Sequence, residues 1–518
     1  MAPRPLLALA AAVAVALPGC AGTELQPGEA RKGGSVTVAL PADPGSLDPA
    51  TASTPEAQRV LALTHLAPLT YARAEGAAGT RLIPALAEEV PEPSEDGRTF
   101  MFTFRRGMRF PAGRALTGQD FEAALKRSLR LDPEAVGVFG GIRGARRYAR
   151  SPSPGGDIEG VTAEGRSVRI DLLAPDPSFP YALASPRAAP VPAATPPRDL
   201  SIRPPAGIGP YVNGDPQRGV AFVLERRRDF ELSGVPDGNA DVISGEVIAS
   251  PAAASTAAVD GRVDAFQGQP PVERLVEIRS KYKDRYEEEA TLALDYLAMD
   301  VGQRPFRDEN LRRAVSLALD LRALGRLSDG FLEPACNAIP AQVPGYRRLD
   351  PCPYGERQGN PDLVRARELV QEADGRPPPV RVAAAADDPR GPAMETYLVR
   401  TLRKIGIRAR RARTPAQRAR PQIALVRLLP AAPVPARYLE AVDDAVLDSR
   451  VRLLELDGLP TESDEDWAGL DRDVVEQALI APYGVEETGV LLSERMDPVN
   501  CRRFHPVYGL DWSSLCLR

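Results

Sequence analysis

Residues 90–129, VPEPSEDGRTFMFTFRRGMRFPAGRALTGQDFEAALKRSL, hold the signals for a turn, a strand and a helix in succession. Asp96 and Gly97 form a dipeptide that favours hairpin turns. The strand that follows projects alternate side chains to opposite faces. One of those faces carries three aromatic residues: Phe100, Phe102 and Phe104. The pattern predicts a strand buried on one side, with phenylalanines that belong to a core and not to a ligand site.

The same stretch predicts the start of a helix. Thr117 is a suitable N-cap, and Asp120 stands three residues later, as in a capping box. The helix then carries an apolar stripe with helical spacing: Phe121, Ala124, Leu125 and Leu129. Turn, strand and capped helix together indicate a mixed α/β architecture.

Three more segments give local predictions. Residues 33–50, GGSVTVALPADPGSLDPA, begin with an alternating strand and end in turn-forming Pro, Asp and Gly. Residues 304–327 predict a helix capped by Asp308 and a second one capped by Asp320. A later helix is predicted with Asn360 as its cap, Pro361 at its first position and Gly375 as its stop.

The N-terminus has the features of an export signal. Arg4 precedes an apolar run, Leu6 to Leu17, that is too short to cross a bilayer. Leu17-Pro18-Gly19-Cys20 resembles a bacterial lipoprotein signal, in which the cysteine is lipidated and becomes the mature N-terminus. Residues 21–32 are polar and predict a tether. A plain secretory signal with an incidental Cys20 is the alternative.

Four cysteines remain once Cys20 is set aside. An even number in an exported chain suggests disulfides, and the spacing favours two local pairs, Cys336–Cys352 and Cys501–Cys516. Three pairings are formally possible, and four buried free thiols are the alternative.

Composition limits the possible functions. The 518 residues predict two or three domains. A net charge of −5 with both signs mixed gives no basic footprint for nucleic acid. Two distant histidines, His65 and His505, give no support for a zinc site. The chain contains neither a G-x-S-x-G elbow nor a P-loop. These absences favour binding over catalysis, with no metal and no cofactor.

Several stretches, in this order along the chain, resemble the extracytoplasmic solute-binding proteins of ABC transporters, family 5, which includes oligopeptide-, dipeptide- and nickel-binding members. They are 33–50, 95–129, GIGPYV (207–212), DGRVDAFQGQP (260–270), LAMDVGQRPFRDENLRRAVSLALD (297–320), NPDLVRARELVQEADG (360–375) and FHPVYGLDWSSL (504–515). The resemblance implies a two-lobed α/β fold of the periplasmic-binding-protein type II, with an extra subdomain in lobe one.

The resemblance also implies a domain layout. Residues 1–20 would be the lipoprotein signal peptide and 21–32 the tether. Lobe one would take 33–268 plus 485–518, with the extra subdomain at about 75–155, and lobe two would take 269–484. Two strands crossing between the lobes would form the hinge.

The implied mechanism is capture by closure. A peptide or related small solute would enter the cleft between lobes, and the closed form would deliver it to an ABC permease. The protein would be a monomer, lipid-anchored on the extracytoplasmic face of the cell membrane, and not an enzyme.

One stretch departs from the family pattern. Peptide-binding members carry a Trp and then an acidic residue that pairs with the ligand's amino group. The corresponding stretch here, QIALVRLLPAAPVPARYLEAV (422–442), has Arg427 and no carboxylate before Glu440. A buried ammonium without a counter-charge is costly. The departure therefore argues against a peptide with a free amino terminus as the ligand, while it leaves the fold prediction unchanged. Arg427 could bind a carboxylate or phosphate instead. A solvated surface arginine is the alternative.

Seven residues are the candidates for the cleft. They follow the first strand, precede the 304–327 helix, or are aromatic or charged elsewhere: Ser46, Leu47, Tyr211, Tyr296, Met299, Arg427 and Trp467. Core packing is the competing role for Tyr211 and Trp467. Two other functional classes stay open, namely a surface sensor or envelope interaction protein that retains the fold, and a secreted hydrolase.

Overall fold

The computed structural model describes residues 31–151, 156–215, 217–354, 360–440, 442, 445–456 and 465–518. The strands, in chain order, are β1 (Ser35–Leu40), β2 (Leu69–Tyr71), β3 (Leu82–Pro84), β4 (Thr99–Thr103), β5 (Val161–Glu164), β6 (Ser167–Asp171), β7 (Tyr211–Asn213), β8 (Phe222–Arg226), β9 (Val242–Val247), β10 (Ala265–Gly268), β11 (Tyr286–Met299), β12 (Leu332–Glu333), β13 (Val380–Ala384), β14 (Ala409–Arg411), β15 (Ile423–Leu428), β16 (Ile480–Leu492), β17 (Phe504–His505) and β18 (Gly509–Leu510).

The α-helices are α1 (Pro55–Thr64), α2 (Gly118–Leu131), α3 (Ala135–Phe139), α4 (Ala145–Arg150), α5 (Pro251–Val259), α6 (Val272–Lys281), α7 (Glu309–Leu317), α8 (Leu321–Leu327), α9 (Leu363–Glu372), α10 (Gly391–Lys404), α11 (Pro415–Ala419), α12 (Pro435–Leu439), α13 (Ala445–Leu456) and α14 (Glu465–Glu476).

One large sheet runs through both lobes, in the order β14-β13-β15-β11-β16-β10-β1-β9-β8-β7, with β12 beside β16. β1, β9 and β10 form a parallel core in one half, and β13, β14 and β15 form another in the other half. Only the long strands β11 and β16 belong to both halves. The two-lobed α/β fold class that the sequence predicts is therefore confirmed.

The two long strands pair with each other on both sides of an irregularity. Tyr286–Ala290 of β11 pairs with the end of β16, and Leu294–Ala298 pairs with its beginning. Between Ala290 and Leu294 the register shifts, so the ladder is interrupted where the chain passes from one lobe to the other. An interrupted ladder bends more readily than a continuous one, so this point is the candidate for the hinge that the family resemblance implies.

Helices cover both faces of the sheet in lobe two. Leu297 and Met299 of β11 belong to one hydrophobic cluster with Phe306 and Leu398. The alternate residues, Leu294 and Tyr296, belong to a second cluster with the side chains of α12 and α14. Burial on both faces explains why β11 is apolar at consecutive positions in this half.

The stretch at 90–129 folds largely as predicted. Phe100, Phe102 and Phe104 are buried, whereas Met101 between them is exposed. Thr117 and Asp120 form the capping box that starts α2. The expected hairpin is reduced to two isolated bridges, Pro93 to Phe100 and Ala87 to Phe104, and the ladder partner of β4 is β6. Pro91 and Pro93 lack the N–H groups that a hairpin ladder would need.

The predicted helix starts are confirmed in two of three further cases. Asp308 caps α7 and Asp320 caps α8 through their side chains. The third prediction was wrong by two residues, because Asp362 and not Asn360 accepts the N–H of Arg365 and begins α9. An aspartate beyond Pro361 competes for the same role, since both residue types are strong N-caps.

Both local disulfides are present. Cys336 and Cys352 have Cα atoms 6.0 Å apart, and Cys501 and Cys516 have theirs 5.1 Å apart. The loop closed by Cys336–Cys352 is also anchored to the buried Asp471 of α14. Asp471 accepts hydrogen bonds from Asn337 Nδ2 and the Ala338 N–H, both at 2.7 Å. The predicted signal peptide, Cys20 and most of the tether lie outside the described residues.

Removal of the first disulfide is expected to be costly. The Cys336→Ser/Cys352→Ser variant releases a loop closed over 16 residues, which in the chain-entropy model lowers the free energy of unfolding by about 3 kcal/mol. Denaturant unfolding of the variant and the parent measures the difference. The variant retains the Cys501–Cys516 disulfide, so the difference should disappear only when parent and variant are both fully reduced, and equal stability of the two oxidised proteins would contradict the expectation.

Candidate ligand cleft

In lobe one, the parallel strands end at a common edge. β1 ends at Leu40, β9 pairs with it to Val247, and β10 ends at Gly268. Gly268 pairs with Gly489 of β16. In α/β sheets, ligands bind beyond the carboxyl ends of parallel strands, so the ligand-facing edge of lobe one lies at Gly489 of the crossing strand.

In lobe two, the corresponding edge lies a few residues away on the same strand. β15 ends at Leu428, which pairs with Leu294, and Leu294 pairs with Val485 of β16. Strand β16 runs antiparallel to β10 and in the same direction as β15. The C-terminal ends of β10 and β15 therefore point toward each other along β16. Only residues 486–488 of β16 separate the two edges. This opposition of two strand edges across the hinge creates the candidate cleft.

A network of charges occupies the lobe-two edge. Arg427 donates from Nε and Nη2 to Glu486 Oε2, at 2.9 and 2.5 Å. Arg390, which precedes α10, lies 3.5 Å from Glu486, 3.4 Å from Asp295 and 3.1 Å from Asp388. The Arg427 side chain stays 46% exposed, while that of Asp295 is only 1% exposed. Arg427 is thus held in place by Glu486 and still faces solvent.

Burial dominates the titration of the acids near the hinge. Burial raises the pKa of Asp295 to about 6, although the Arg390 charge opposes this. The pKa of Glu289 and that of Glu487 are each raised to about 7, first by burial and then by neighbouring carboxylates. For Arg427, the hydrogen bond with Glu486 raises the guanidinium pKa.

The lobe-one edge is built on one buried ion pair. Arg127 of α2 donates from Nη1 and Nη2 to the two carboxylate oxygens of Asp48, at 3.0 and 2.7 Å. Asp48 also accepts the N–H groups of Ala50 and Leu200. Arg127 reaches the carbonyls of Pro196 and Arg198 as well. The pair therefore ties the loop after β1 to α2 and to the segment near residue 200.

A cavity of about 530 Å³ opens at this edge. Its polar lining includes Asp43, Ser46, Asp199 and Asn213, and no Lys or Arg side chain lines it. Asn213 Oδ1 is buried and has no hydrogen-bond partner. The cavity offers acceptors and negative charge.

The lobes also touch beside the cleft. Thr80 of lobe one donates from Oγ1 to the Gln342 carbonyl at 3.1 Å. Val434, in the loop after β15, is 2% exposed and belongs to the same hydrophobic cluster as Tyr71, Tyr181 and Phe230. One side of the cleft is thus bridged by protein contacts alone.

The seven residues predicted from sequence are not all brought together. Ser46 lines the lobe-one cavity and shares a 2.7 Å hydrogen bond with Thr51, and Arg427 stands at the opposite edge. Leu47 lines the same cavity as Ser46, although it is only 8% exposed. Tyr211, Tyr296, Met299 and Trp467 are each at most 6% exposed and lie in hydrophobic clusters. Tyr211 donates its hydroxyl proton to the Ala240 carbonyl. In this arrangement these four offer little surface to a solute in the cleft.

Sequence reasoning missed the partners of Arg427. Asp295, Arg390 and Glu486 come from three separate segments and have no common spacing. The one available signal was the run Asp-Asp-Pro-Arg at 387–390, which lies shortly after the apolar residues that form β13.

Other kinds of site find no support in the part of the chain described. No three or more His, Cys, Asp or Glu side chains there are grouped so that they could hold a metal ion. No helix among those residues has the length and apolar character needed for a bilayer crossing.

Comparison with known families gives a match over most of the chain. Residues 81–443 match the family described as bacterial extracellular solute-binding proteins, family 5 Middle. The match covers the extra subdomain, the first crossing strand and most of lobe two.

Two similar proteins are the periplasmic oligopeptide-binding protein OppA of Escherichia coli K12 and the glutathione-binding protein GsiB of Salmonella choleraesuis. They are 23% identical over 306 residues and 24% identical over 284 residues, and each alignment takes in 54% of this chain. The chain spans about half the length of the curated relatives it matches, 53% and 51% in these two cases.

Solved structures agree over nearly the full length. The clavulanic acid biosynthesis oligopeptide binding protein 2 superposes with a TM-score of 0.79 at 21% identity, covering 94% of this chain and 96% of its own. The unliganded open form of the murein tripeptide binding protein MppA gives 0.77 at 18% identity, covering 95% and 99%. At these identities the likeness establishes the fold.

Proposed function

Because the chain belongs to the bacterial extracellular solute-binding proteins of family 5, we propose that it captures peptides or related small solutes for an ABC importer. The observation that carries the proposal is the opposition of two strand edges across residues 486–488. The names of its relatives, oligopeptide-binding and glutathione-binding, supply the ligand class. The family is one of binding proteins, which agrees with the prediction of binding over catalysis.

Capture would proceed by closure about the hinge. A solute that contacts only one lobe does not change the balance of open and closed forms, because a ligand shifts an equilibrium only by its differential affinity. Contacts from both edges, Ser46 on one side and Arg427 on the other, would be gained together on closing. The interrupted ladder at Ala290–Leu294 would take up the bend.

Arg427 is the group at this edge that would bind a solute carboxylate, although carboxylates of the protein surround it. Arg427 donates from Nε and Nη2 to Glu486, and its Nη1 remains available to donate to a ligand. Between Arg427 and Glu440 there is no acidic residue to receive an ammonium. A positive group on the solute would find acceptors in the lobe-one cavity, at Asp43 and Asp199.

Lipid anchoring through Cys20 and delivery to a membrane permease complete the proposal. The lobe boundaries proposed from the sequence, 33–268 with 485–518 for lobe one and 269–484 for lobe two, place the division at the crossing strands. Labelling of the expressed protein with a radioactive fatty acid, compared with a Cys20→Ala variant, tests the anchor.

Capture is tested with the full chain and defined pools of short peptides and small metabolites. At 100 times its dissociation constant, a ligand stabilises the folded state by about 2.7 kcal/mol, so a thermal shift is expected. Small-angle scattering should show a smaller radius of gyration with the same pool. A thermal shift without compaction would contradict closure, and neither effect with any pool would contradict solute capture.

Replacement of Arg427 should weaken binding of an acidic solute. Loss of a charge-assisted hydrogen bond costs about 1.5–3 kcal/mol, so Arg427→Gln is expected to raise the dissociation constant roughly 10- to 100-fold. Arg410→Gln, which removes an exposed arginine from the β14 edge of the same lobe, is the matched control. Equal affinities of both variants, measured by calorimetry, would remove Arg427 from the site.

A surface sensor that retains the fold is the second candidate. The contact of Val434 with the lobe-one cluster favours it, because that contact joins the lobes without a solute. Substitution of Val434 by Asp separates the two candidates. A capture protein should still compact with ligand, whereas a protein whose closed form depends on Val434 should open and stay open.

A further inference from the structure

A second cavity lies away from the cleft, among three helices of the extra subdomain. It has a volume of about 550 Å³ and lies between α2, α3 and α4. Its polar groups are three guanidinium groups, from Arg130, Arg146 and Arg150, and its floor is apolar. No lining residue belongs to lobe two or to the loop after β1, so the cavity is separate from the proposed ligand site.

The three arginines have no acidic partner in the described part of the chain. Arg146 Nε donates to the Gly140 carbonyl and Arg150 Nε to the Arg146 carbonyl, which leaves their Nη groups free of ion pairs. Arg130 makes neither a hydrogen bond nor an ion pair with any described residue. No carboxylate lines the cavity.

The nearby carboxylates are all engaged by other bases. Arg187 binds Asp132 and Glu134. Arg147 pairs with Glu159, and Lys126 pairs with both Glu122 and Asp157. Residues 118–160 carry seven basic and six acidic side chains. Because these acids are paired with other bases, the charges of Arg130, Arg146 and Arg150 are not compensated by any described carboxylate.

Helix chemistry alone does not explain the arrangement. Arg130 and Arg150 lie in the last turns of α2 and α4, where a cation gains about 0.3–1 kcal/mol from the helix dipole. However, α4 is only six residues long, and Arg146 and Arg150 are like charges at i and i+4, which repel each other. Arg146 and Arg150 are exposed and Arg130 is half-buried, so water solvates their charges, and an anion between the three guanidinium groups would relieve the repulsion that remains.

We propose that this cavity binds a phosphate group, as a phosphate ester or in the headgroup of an anionic lipid. Guanidinium groups form paired hydrogen bonds with phosphate oxygens. A phosphate with up to two negative charges and at least two unesterified oxygens matches three arginines better than a carboxylate does. Leu129, Val136 and Ala149 on the floor would contact the apolar part of the molecule that carries the phosphate.

The test uses the full chain and three named probes at constant ionic strength: inorganic phosphate, glycerol 3-phosphate, and vesicles of 30% phosphatidylglycerol in phosphatidylcholine. The variant is Arg130→Gln/Arg146→Gln/Arg150→Gln. Its control, Arg106→Gln/Arg400→Gln/Arg410→Gln, removes three exposed arginines that line none of the cavities described above. Circular dichroism and thermal unfolding verify that both variants fold.

We expect at least one probe to bind the parent and the control with the same affinity, and the cavity variant at least tenfold more weakly. Binding of glycerol 3-phosphate identifies a soluble ester, and binding of the vesicles alone identifies a lipid headgroup. The proposal is overturned by equal binding to both variants, by acetate competing as well as phosphate, or by no binding of any probe. A peptide pool that binds the parent should bind the cavity variant equally, which keeps this result independent of solute capture.

Discussion

Substitution of Asp48 by asparagine is expected to lower the free energy of unfolding by about 3–5 kcal/mol, because it leaves a buried guanidinium without its counter-charge. Asp48 is fully buried and Arg127 is 3% exposed. The asparagine amide would also direct N–H groups at donors, namely Arg127 and the N–H of Ala50 or Leu200. Urea unfolding followed by circular dichroism measures the loss.

Asp43→Asn is the control, since it makes the same chemical change in the same loop. Asp43 is exposed and accepts one hydrogen bond, from the Gly45 N–H, so its replacement should cost less than about 1 kcal/mol. Asp48→Asn should also weaken ligand binding, because the pair positions the loop that contains Ser46. If Asp48→Asn lowers the free energy of unfolding no more than Asp43→Asn does, the ion pair is not needed for the stability of lobe one.

The pH dependence of the same pair follows from its pKa. Burial raises the pKa of Asp48, but the hydrogen bonds from Arg127 and the backbone lower it by a larger amount, so the net shift of this pKa is downward. Stability from this group is therefore present above the unfolded pKa of 3.8 and is lost as the pH falls through the folded value.

Acidification is expected to destabilise the protein through its two histidines. Burial lowers the pKa of His65 and that of His505 from 6.5 to about 4. Below pH 6.5 the histidines are protonated in the unfolded chain but stay neutral in the folded chain. Proton binding therefore stabilises the unfolded state, and stability present at pH 7 is lost as the pH falls toward 4. At pH 4.5 each histidine contributes a loss of about 2.5 kcal/mol, about 5 kcal/mol for both.

The geometry around His505 gives the physical reason. Its Nε2 is 3.0 Å from the Ala72 carbonyl, and its Nδ1 accepts the N–H groups of Val507 and Tyr508. A proton on Nδ1 would face two donors. At His65, Nε2 lies 2.9 Å from the Pro205 carbonyl and Nδ1 lies 2.8 Å from the Thr64 hydroxyl, which donates to the Val60 carbonyl, so burial of the ring is the cause of its lowered pKa.

The measurement is the stability difference between the parent and a His65→Gln/His505→Asn variant as a function of pH. Carboxylates such as Glu487, whose pKa is raised, act in the opposite direction and are common to both proteins, so they cancel in the difference. The variant should be less stable at pH 7.5, and the gap should shrink by about 5 kcal/mol at pH 4.5. A gap that is constant with pH would show that the histidines are not held neutral.

Local elements could be predicted because their causes lie within a few residues. The alternation at Phe100, Phe102 and Phe104, and the caps Thr117, Asp308 and Asp320, depend on neighbours no more than four positions away. Where two local signals competed, as at Asn360 and Asp362, the boundary was misplaced.

The candidate site could be predicted only in part. Ser46 and Arg427 follow from strand ends and from the family pattern. Tyr211 and Trp467 are candidates as aromatics and Tyr296 as a residue that precedes the 304–327 helix, but an aromatic side chain suits a core as well as a cleft, and the structure buries all three. Burial depends on what covers a residue, which its own neighbours in sequence do not reveal.

By itself the sequence indicated the α/β class, the strands β1 and β4 and several helix caps, since each depends on short-range patterns of side chains, and the family resemblance implied the two lobes. The tertiary structure alone decided that Glu486, Arg390 and Asp295 gather around Arg427, and that three arginines of α2 and α4 share one cavity. These groups come from separate segments, 59 residues apart for Arg427 and Glu486 and 95 for Arg390 and Asp295. Side chains so distant in sequence meet only where strand register and helix packing bring them together.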